Sequence, residues 1–554
     1  MTPQRALPGW LTPLPDAGAM RAIDRWAIEE RGVAGLQLME RAGAAVTRAV
    51  ERVAADGPVT VVCGKGNNGG DGLVVARLLR EAGREVTVVC VAAPGDFTGD
   101  ARSNLERLPG EPPVKPSGDS WGRPEQAATA RGAQTRGPEQ ADSEAGGHAG
   151  SLPGLERPGA LAVDALLGTG FSGEPHGAVA SAIESLARAQ VQIVSVDVPS
   201  GVDASTGVVA GEAVPATVTV TFHAAKPGLW ISPGKAHAGA VETVDIGIPR
   251  GAPTRAEVGL ISARVVEELP RRDRAWTKFK SGQVLVVGGS RGLTGAPAMA
   301  ARASMRAGAG YVIACVPASL QDVLAASGTP EMMTRALAED GSGALVQDAA
   351  KTVLETAARG GSLALGPGLG RTPSAALLAR ELARETPVPL VLDADGLNAH
   401  AGALDALAAR RHATVLTPHA GEMARLLRCD SADVERERLQ SVREAARRAR
   451  AVVVLKGDDT LIADADGLVA VSAAGTPALA TAGTGDVLTG VIAALLAQGM
   501  DAFTAAAAGV WLHAQAGREA AHRLGAVEGV IATDVIAALP AARAGSRHEH
   551  PGSA

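Results

Sequence analysis

The sequence predicts an α/β protein with two three-layer α/β/α domains, and three observations support this. A chain of 554 residues, 46% of them hydrophobic, is too long for one ordinary core but can bury two. Short β-branched runs alternate with amphipathic stretches of helical spacing, which is typical of parallel sheets covered on both faces. The pattern stops near Pro249–Glu257 and then starts again. We therefore assign residues 1–255 to a first domain and 256–554 to a second.

In the first domain, a helical opening over Asp16–Gly57 precedes the strands. The predicted strands are VTVVC (59–63), EVTVVCV (85–91), ALAVDALL (160–167), VQIVSVDV (191–198) and ATVTVTF (216–222). Residues 109–159 break this pattern with Pro, Gly, Glu, Gln and Ser and almost no large apolar residue. Because such a segment buries too little surface to offset its ordering entropy, we predict a disordered insertion or long surface loop.

The second domain repeats the alternation. Its predicted strands are QVLVVGG (283–289), YVIACVP (311–317), SLALG (362–366), PLVLDA (389–394), TVLTP (414–418) and VVVLKG (452–457). The apolar region 487–514 is interrupted by Gln498, Gly499 and Asp501, and neither part reaches the roughly 20 residues that a membrane span needs. We expect two buried core helices there, no membrane association, and a frayed tail over residues 542–554.

Charge and cysteine usage narrow the class of protein further. The formal net charge of -6 is small and its signs are interspersed, so we expect no nucleic-acid partner. The cysteines Cys63, Cys90, Cys315 and Cys429 are scattered, which argues against disulfides or zinc. The amino terminus lacks the apolar core of a signal peptide. We expect a cytoplasmic protein, and a homo-oligomer.

Polar side chains cluster where the strands of the first domain end. The run GKGNNGGDG (64–72) places a Gly- and Asn-rich turn between a strand and a helix, where free N–H groups can face a phosphate. Such a turn alone can simply be tight, and an acid at a strand end can simply cap a helix. Because the carboxyl ends of parallel strands meet in one crevice, their combination favours a site. The oxygen-bearing residues are Asn67, Asn68, Asp71, Asp164, Asp197 and Ser200.

Four motifs in this order, GKGNNGGDG, VDALLGTGFSGE (163–174), VDVPSGVDASTG (196–207) and TFHAAKPGL (221–229), resemble the NAD(P)HX epimerase family over roughly Asp16–Pro249. The resemblance implies a Rossmann-like domain that binds hydrated NADH or NADPH. Its substrate-binding residues would be Asn67, Asn68, Gly69, Gly70, Asp71, Gly168, Thr169, Gly170, Phe171, Ser172, Gly173, Glu174 and Asp197. It also implies a K+ ion held by Asn68, Asp164 and Ser200.

The implied reaction interconverts the R and S forms of the hydrated nicotinamide ring. Asp197 is our candidate for proton transfer, as general base or acid. Lys226 would stabilise charge or contact a phosphate. The insertion interrupts no motif, so we expect activity to survive it.

The second domain contains TAGTGDVLTGVIAALL (481–496), in which Gly483 and Gly485 precede Asp486 at the start of an apolar helix. Free N–H groups and the helix dipole form an anion hole there, and Asp486 can deprotonate a hydroxyl, although it can also simply cap a core helix. This arrangement resembles the ribokinase-like superfamily.

Further motifs resemble the ADP-dependent NAD(P)HX dehydratases over roughly Ile261–Ala541: KFKSGQVLVVGGSRGLTGAP, LALGPGLG, VLDADGLNA, TPHAGEM and LKGDDT. By resemblance, the hydrated cofactor would contact Ala296, Gly368, His419 and Asp486. The nucleotide would contact Lys456, Gly457, Asp458, Asp459, Thr460 and Gly485. ADP (or ATP) would phosphorylate the ring hydroxyl with Mg2+ neutralising phosphate charge, and elimination would restore NAD(P)H, releasing AMP and phosphate.

Several points stay open at this stage. Leu293 stands where the family often has an aromatic residue, and Asp458 and Asp459 make the phosphate loop acidic enough to repel a phosphate. His419 either contacts substrate or shapes a turn. Asp393, Asp395 and Asn398 either orient the site or cap a helix.

Two other functions compete with repair. A small-molecule kinase would use the same helix start but would leave the first domain unexplained. A nucleotide-binding adaptor without turnover would not need Asn68, Asp164, Asp197 and Ser200.

Overall fold

The computed structural model describes residues 6–117, 152–253, 256–327 and 329–545. These residues divide into two compact units, one within 13–256 and the other within 1–12 and 257–554. The sequence assigned residues 1–12 to the first domain, whereas the structure places the described part of that segment in the second unit. The reason is strand pairing: β1 (Leu11–Pro13) lies beside β8 (Val258–Ile261), and the Trp10 carbonyl accepts the Ser262 N–H at 3.0 Å.

The sheet of the first unit has six parallel strands in the order β3-β2-β4-β5-β6-β7. They are β2 (Val59–Cys63), β3 (Val86–Cys90), β4 (Leu161–Ala165), β5 (Gln192–Val196), β6 (Val218–Phe222) and β7 (Ala240–Val244). In the sheet, β3 lies on one side of β2 and β4 lies on the other, so the direction of winding reverses after β3. Such a reversal leaves a crevice at the carboxyl ends of β2 and β4, which is where ligands bind in open α/β sheets.

Helices cover both faces of this sheet. They are α1 (Ala17–Arg25), a π-helical turn (Trp26–Glu30), α2 (Gly35–Val53), α3 (Asn67–Glu81), α4 (Gly99–Glu106), α5 (Gly177–Arg188) and α6 (Gly234–Ala238), with 3-10 turns at Pro94–Asp96 and Pro227–Leu229. Val61 packs in one apolar cluster with Val46 and Leu73, and its neighbour Val62 packs in another with Ile183. Since adjacent strand residues face opposite ways, the predicted three-layer arrangement is confirmed.

The predicted disorder over residues 109–159 is wrong at both ends of that segment. The Val114 N–H donates to the Val88 carbonyl at 2.9 Å, and the Val114 carbonyl accepts the Cys90 N–H at 2.9 Å. At the other end, Leu152 and Leu155 are buried. These few apolar side chains suffice to hold the flanks, whereas residues 118–151 lie outside the described chain.

The second unit contributes an eleven-stranded sheet in the order β1-β8-β17-β16-β15-β14-β13-β12-β9-β10-β11. Its other strands are β9 (Gln283–Val287), β10 (Tyr311–Pro317), β11 (Met333–Leu337), β12 (Ser362–Leu365), β13 (Leu390–Leu392), β14 (Thr414–Leu416), β15 (Val452–Leu455), β16 (Leu461–Ala463) and β17 (Val469–Val471). Strand β16 is antiparallel to both neighbours, and the pairs from β15 through β11 are parallel.

The helices of this unit are α7 (Gly295–Arg306), α8 (Gln321–Ala325), α9 (Ala349–Ala357), α10 (Pro373–Glu385), α11 (Asp395–Asn398), α12 (Ala420–Leu427), α13 (Ser431–Arg436), α14 (Arg438–Ala449), α15 (Thr484–Ala497), α16 (Ala502–Leu524) and α17 (Ala532–Gly545). Short 3-10 segments are Ala263–Glu268, Ala318–Leu320, Leu404–Leu407 and Pro477–Leu479. Val286 packs against Val491 of α15 in one cluster, and Leu285 and Leu365 on the opposite face are also buried. Both faces of this sheet are therefore covered.

The two predicted core helices are α15 and α16. No helix in the described parts of the chain is long and apolar enough to cross a membrane. The predicted frayed tail begins too early, because α17 continues past Ala541 to Gly545. Arg543 anchors it there by donating to the Ala307 carbonyl at 2.9 Å. Residues 546–554 lie outside the described chain.

Candidate functional sites

A cavity of about 990 Å³ opens at the carboxyl ends of β2 and β4 in the first unit. Of the predicted substrate residues, its wall contains Asn67, Asn68, Asp71, Gly168, Thr169, Gly170, Phe171 and Asp197. Gly69, Gly70, Ser172, Gly173 and Glu174 are described but do not form part of that wall. Gly69 instead lies against Gly64, where a Cβ would collide with the Gly64 carbonyl oxygen. Glycine there allows the loop to turn tightly onto β2.

Asp197 and Lys226 form a buried ion pair in the cavity wall. Asp197 follows β5 with a φ of 65°, a left-handed conformation that turns the chain sharply at the strand end. Its Oδ1 accepts the Lys226 ammonium at 2.5 Å and the Thr221 hydroxyl at 3.1 Å. The ammonium also donates to Thr221 Oγ1 at 2.8 Å and to the Phe222 carbonyl at 3.1 Å. These bonds fix both charges, so Lys226 serves Asp197 rather than a solvated phosphate.

Two more carboxylates surround this pair. Burial raises the pKa of Asp71 well above its ordinary value, with further increases from the negative charges of Asp197 and Asp24 and a decrease from Lys226. Burial also raises the pKa of Asp24, Lys226 lowers it, and Asp197 raises it. At both Asp71 and Asp24 the increase from burial exceeds the decrease from Lys226, so both carboxyl groups favour their neutral forms.

Sequence reasoning missed Asp24, which lies on α1 in the cavity wall. Met20 and Ile28, four residues before and after it, also line the cavity. An acid between two apolar residues at i, i+4 spacing was the available signal, because residues at that spacing lie on one face of a helix.

Asn68, Asp164 and Ser200 meet at the backbone of Leu167, which lines the cavity together with Asn68. The Ser200 hydroxyl donates to Asp164 Oδ1 at 2.6 Å and accepts the Leu167 N–H at 2.9 Å, while Asn68 Nδ2 donates to the Leu167 carbonyl at 2.7 Å. Asp164 is fully buried. Burial raises the pKa of Asp164, and hydrogen bonds from Ser200 and Ser195 partly offset the increase. Among the described residues, no basic side chain forms an ion pair with it.

In the second unit, Asp486 lies in the first turn of α15, and that helix begins directly after the left-handed Gly483 (φ 90°). Burial raises the pKa of Asp486 to about 7, with a further increase from Asp393 and a decrease from Lys456. Lys456 Nζ donates to Asp393 Oδ1 at 3.1 Å. Asp393 also accepts the hydroxyls of Thr417 and Thr489, each at 2.8 Å. Asp393 therefore orients the lysine and tunes Asp486.

His419 has a defined structural role as the N-cap of α12. Its Nδ1 accepts the backbone N–H of Gly421 at 3.0 Å, and the Glu422 carboxylate accepts the His419 N–H at 3.0 Å, completing a capping box. Burial lowers the pKa of His419, which Glu422 raises and Lys456 lowers. Because Nδ1 is an acceptor, the proton of the neutral ring is on Nε2, which lies 3.5 Å from a Glu422 carboxylate oxygen. The His419 side chain is 54% exposed, so it can still contact a ligand. The turn and contact interpretations are thus compatible.

The other predicted residues of this unit lie near the same strand ends. A Cβ on Gly368 would lie 3.2 Å from that of Ala296, so these two residues adjoin. A Cβ on Gly485 would lie 3.6 Å from Lys456 Nζ. Asp395 binds the loop of β12, accepting the Gly370 N–H and the Arg371 Nε at 3.0 Å each. Leu293 is exposed.

The acidic phosphate loop is less charged than its sequence indicates. Asp459 is buried and forms an ion pair with Arg438, whereas Asp458 is exposed. The negative charge of Asp459 is therefore balanced within the protein.

Comparisons with known proteins cover both units. A family model described as YjeF-related protein N-terminus matches residues 35–228, and one described as NAD(P)H-hydrate dehydratase matches residues 284–541. The chain is 42% identical to a bifunctional NAD(P)H-hydrate repair enzyme of Moorella thermoacetica, over 95% of both chains. It is 34% identical to one of Escherichia coli, over 94% of this chain and 92% of that one. The crystal structure of an ADP/ATP-dependent NAD(P)H-hydrate dehydratase from Bacillus subtilis matches with 27% identity and a TM-score of 0.43, covering 52% of this chain and 98% of that one.

Proposed function

Since the chain belongs to the family of bifunctional NAD(P)H-hydrate repair enzymes, we propose that its two sites act in sequence on hydrated NADH and NADPH. The enzyme is an epimerase and a dehydratase. We assign epimerisation to the unit of residues 13–256 and dehydration to that of 257–554. The observation that carries this proposal is shared by both units: each has an acidic candidate and a lysine at the carboxyl end of its sheet. Lys226 pairs directly with Asp197, whereas Lys456 pairs with Asp393 at 3.1 Å and lowers the pKa of Asp486 through its charge.

In the first site, Asp197 accepts and Asp71 donates a proton. Asp197, which is paired with Lys226, removes the proton of the ring hydroxyl. The bond between that carbon and the ring nitrogen breaks, and the nitrogen takes the proton of Asp71. Closure of the planar carbonyl carbon from its other face, with both protons returned, gives the other epimer. The opposed environments of the two carboxyl groups support this division of roles.

The network of Asn68, Asp164 and Ser200 fits K+. All three side chains carry oxygen, and the Leu167 carbonyl lies among them. A fully buried carboxylate without a basic partner in the described chain is stabilised by a nearby cation. The ion would hold the Leu167–Gly168 backbone and so shape the wall that contacts the substrate.

In the second site, Asp486 takes the ring hydroxyl proton while the oxygen attacks the terminal phosphorus of ADP or ATP. The bridging P–O bond breaks, and AMP leaves from ADP, or ADP from ATP. The N–H groups at the start of α15 stabilise the charge of the transferred phosphoryl group. Phosphate then leaves with one proton from the neighbouring ring carbon, restoring the double bond. A pKa of about 7 suits Asp486 to this task, because a general base works best near the ambient pH.

Mg2+ fits this site only together with the nucleotide. Within the described chain, no cluster of three or more acidic, histidine or cysteine side chains can hold a metal ion alone. Since Mg2+ is usually held by substrate phosphates and one or two carboxylates, it would enter with ADP or ATP and neutralise phosphate charge.

Two further assignments rest on simpler observations. The buried cysteines Cys63, Cys90 and Cys315 form no disulfide, which is compatible with a reducing cytoplasm. Phe279, 74% exposed, is an apolar side chain that a second copy of the chain would cover in a homo-oligomer. Light scattering after size-exclusion chromatography tests the latter.

The function is tested by mixing the protein with both epimers of hydrated NADH, Mg2+, K+ and ADP or ATP, and following dihydronicotinamide absorbance. We expect complete recovery with the wild type. With Asp197→Ala, recovery of absorbance should stop once the S form is consumed. With Asp486→Ala, no absorbance should be recovered. Absence of recovery with either nucleotide would contradict repair, and a stable phosphorylated product would indicate a kinase.

A further inference from the structure

Arg438 is a buried arginine in an unfavourable place. It is the first residue of α14, and its side chain is only 2% exposed. A positive charge at a helix N-terminus opposes the helix dipole, and desolvation adds a second cost. Departures from favourable local energetics of this kind are expected mainly at functional sites.

The partners of Arg438 are on the phosphate loop, Lys456–Thr460, and on the preceding helix. Its Nε and Nη2 each lie 3.0 Å from an oxygen of Asp459, a bidentate pair. Its Nη2 donates to the Lys456 carbonyl at 3.4 Å, and its Nη1 donates to Glu435 at 3.0 Å. Asp459 is as buried as the arginine, so the pair is shielded from salt and solvent.

The backbone of the loop is fitted around the guanidinium. A Cβ on Gly457 would collide with Arg438 Nη2, so only glycine allows this approach. Thr460 closes the loop, because its hydroxyl accepts the Gly457 N–H at 3.2 Å and donates to the Gly457 carbonyl at 2.7 Å. Arg438 therefore contacts three of the five loop residues, although its sequence position lies 18 residues before Lys456.

We propose that Arg438 is a positioning residue for the nucleotide of the dehydratase: it holds Lys456–Thr460 in phosphate-binding shape and cancels the charge of Asp459. This rests on the nucleotide-binding role proposed for the loop. Without the arginine, Asp459 would lose its bidentate partner beside the phosphates, or would turn outward and carry the loop with it. The lysine end of the loop is fixed separately, through Asp393.

The test compares the wild type with Arg438→Lys, which keeps the charge but cannot form the bidentate pair. Isothermal titration with ADP and Mg2+, without hydrated cofactor, should show Kd rising about tenfold, as expected for loss of a coupled buried pair. The KM for nucleotide should rise in parallel. The KM for the hydrate and kcat at saturating nucleotide should stay within about twofold. A purely structural role would instead lower kcat and the melting temperature without this selectivity.

Arg447→Lys is the matched control, since Arg447 is on the same helix and makes an exposed pair with Glu444. Asp459→Asn should weaken ADP binding as Arg438→Lys does. The double variant should bind ADP no more weakly than whichever single variant has the lower affinity. If Arg438→Lys does not fold, Asp459→Asn alone decides. Unchanged Kd in a folded variant, or additive losses in the double variant, would overturn the inference. Failure of the wild type to bind ADP would instead overturn the nucleotide role itself.

Discussion

The ammonium of Lys226 lies 2.5 Å from Oδ1 of Asp197, and the lysine side chain is 1% exposed. Lys226→Met would leave Asp197 without its counter-charge. We expect epimerisation to fall at least about a hundredfold and unfolding free energy to fall by about 3 kcal/mol, the lower end for a broken buried pair because Asp197 is partly exposed. Interconversion of one purified epimer, measured by chromatography without nucleotide, checks the first effect, and urea unfolding the second. Lys235→Met, outside the cavity wall, is the control. Wild-type rates in Lys226→Met would refute the role.

The epimerase should lose activity at high pH as Asp71 loses its proton. Asp24 helps to keep the pKa of Asp71 raised. Asp24→Asn removes that negative charge, so the pKa of Asp71 falls and the descending limb of kcat/KM moves to lower pH. The pH profile of epimer exchange shows this directly. A limb that stays in place would mean that Asp71 is not the proton donor.

Potassium dependence should reside in the first unit alone. Asp164→Asn removes the buried charge that favours a cation but keeps the shape of the side chain. We expect epimerisation to lose its stimulation by K+ over Na+ and the dehydratase to keep its rate with the S epimer. Equal stimulation by K+ in the wild type and the variant would show that the ion does not bind at Asp164.

Dehydratase activity should rise with pH through about 7, the raised pKa of Asp486, because only the ionised carboxylate accepts a proton. Asp393→Asn removes a neighbouring negative charge, which lowers the pKa of Asp486 and moves the ascending limb of kcat/KM to lower pH. The profile is measured with the S epimer and saturating nucleotide. If kcat/KM stayed constant from about one pH unit below that pKa to about one unit above it, Asp486 would be excluded as the base.

Acid should destabilise the second unit through His513, a buried residue of α16. Burial lowers the pKa of His513 from 6.5 to about 4, so between these values the unfolded chain binds a proton that the folded chain does not. The stability is therefore complete above 6.5 and lost as pH falls towards 4, with a slope of up to about 1.4 kcal/mol per pH unit. His513→Asn should unfold with a correspondingly flatter pH dependence. An equal slope in both proteins would contradict this.

Eleven of the described strands were predictable from sequence, whereas β1, β7, β8, β11, β16 and β17 were not. All the predicted runs are strands, because a strand buried on both faces needs a continuous apolar run. Strands β16 (Leu461–Ala463) and β17 (Val469–Val471) were missed although the predicted strands β13 and β14 are equally short. They form an antiparallel pair with no helix between them, so they fall outside the strand–helix alternation that identified the other strands. Strand β11 (Met333–Leu337) lies at the sheet edge and is partly exposed, so its composition is mixed.

Of the sites, the motif residues could be predicted but their couplings could not. The Asp197 motif was visible, whereas Asp24 is distant in sequence and joins the site only through packing of α1. Likewise, the acidity of Lys456–Thr460 was visible, but its compensation by Arg438 depends on the docking of another helix. A sequence motif indicates the local backbone conformation, whereas the partners of its charged side chains depend on tertiary contacts.

The first described strand has a practical consequence for dissecting the enzyme. Trp10 and Leu11 are buried in the core of the second unit, where Trp10 lies 5.8 Å from Phe503 between ring centroids. A dehydratase fragment cut to begin at residue 257 would expose that aromatic surface and leave β8 with an open edge, a state prone to aggregate. In the order of the chain, the epimerase unit is an insertion between the first strand of the dehydratase unit and the rest of that unit. Releasing either one intact takes two cuts, or a fusion that returns the first strand to its sheet.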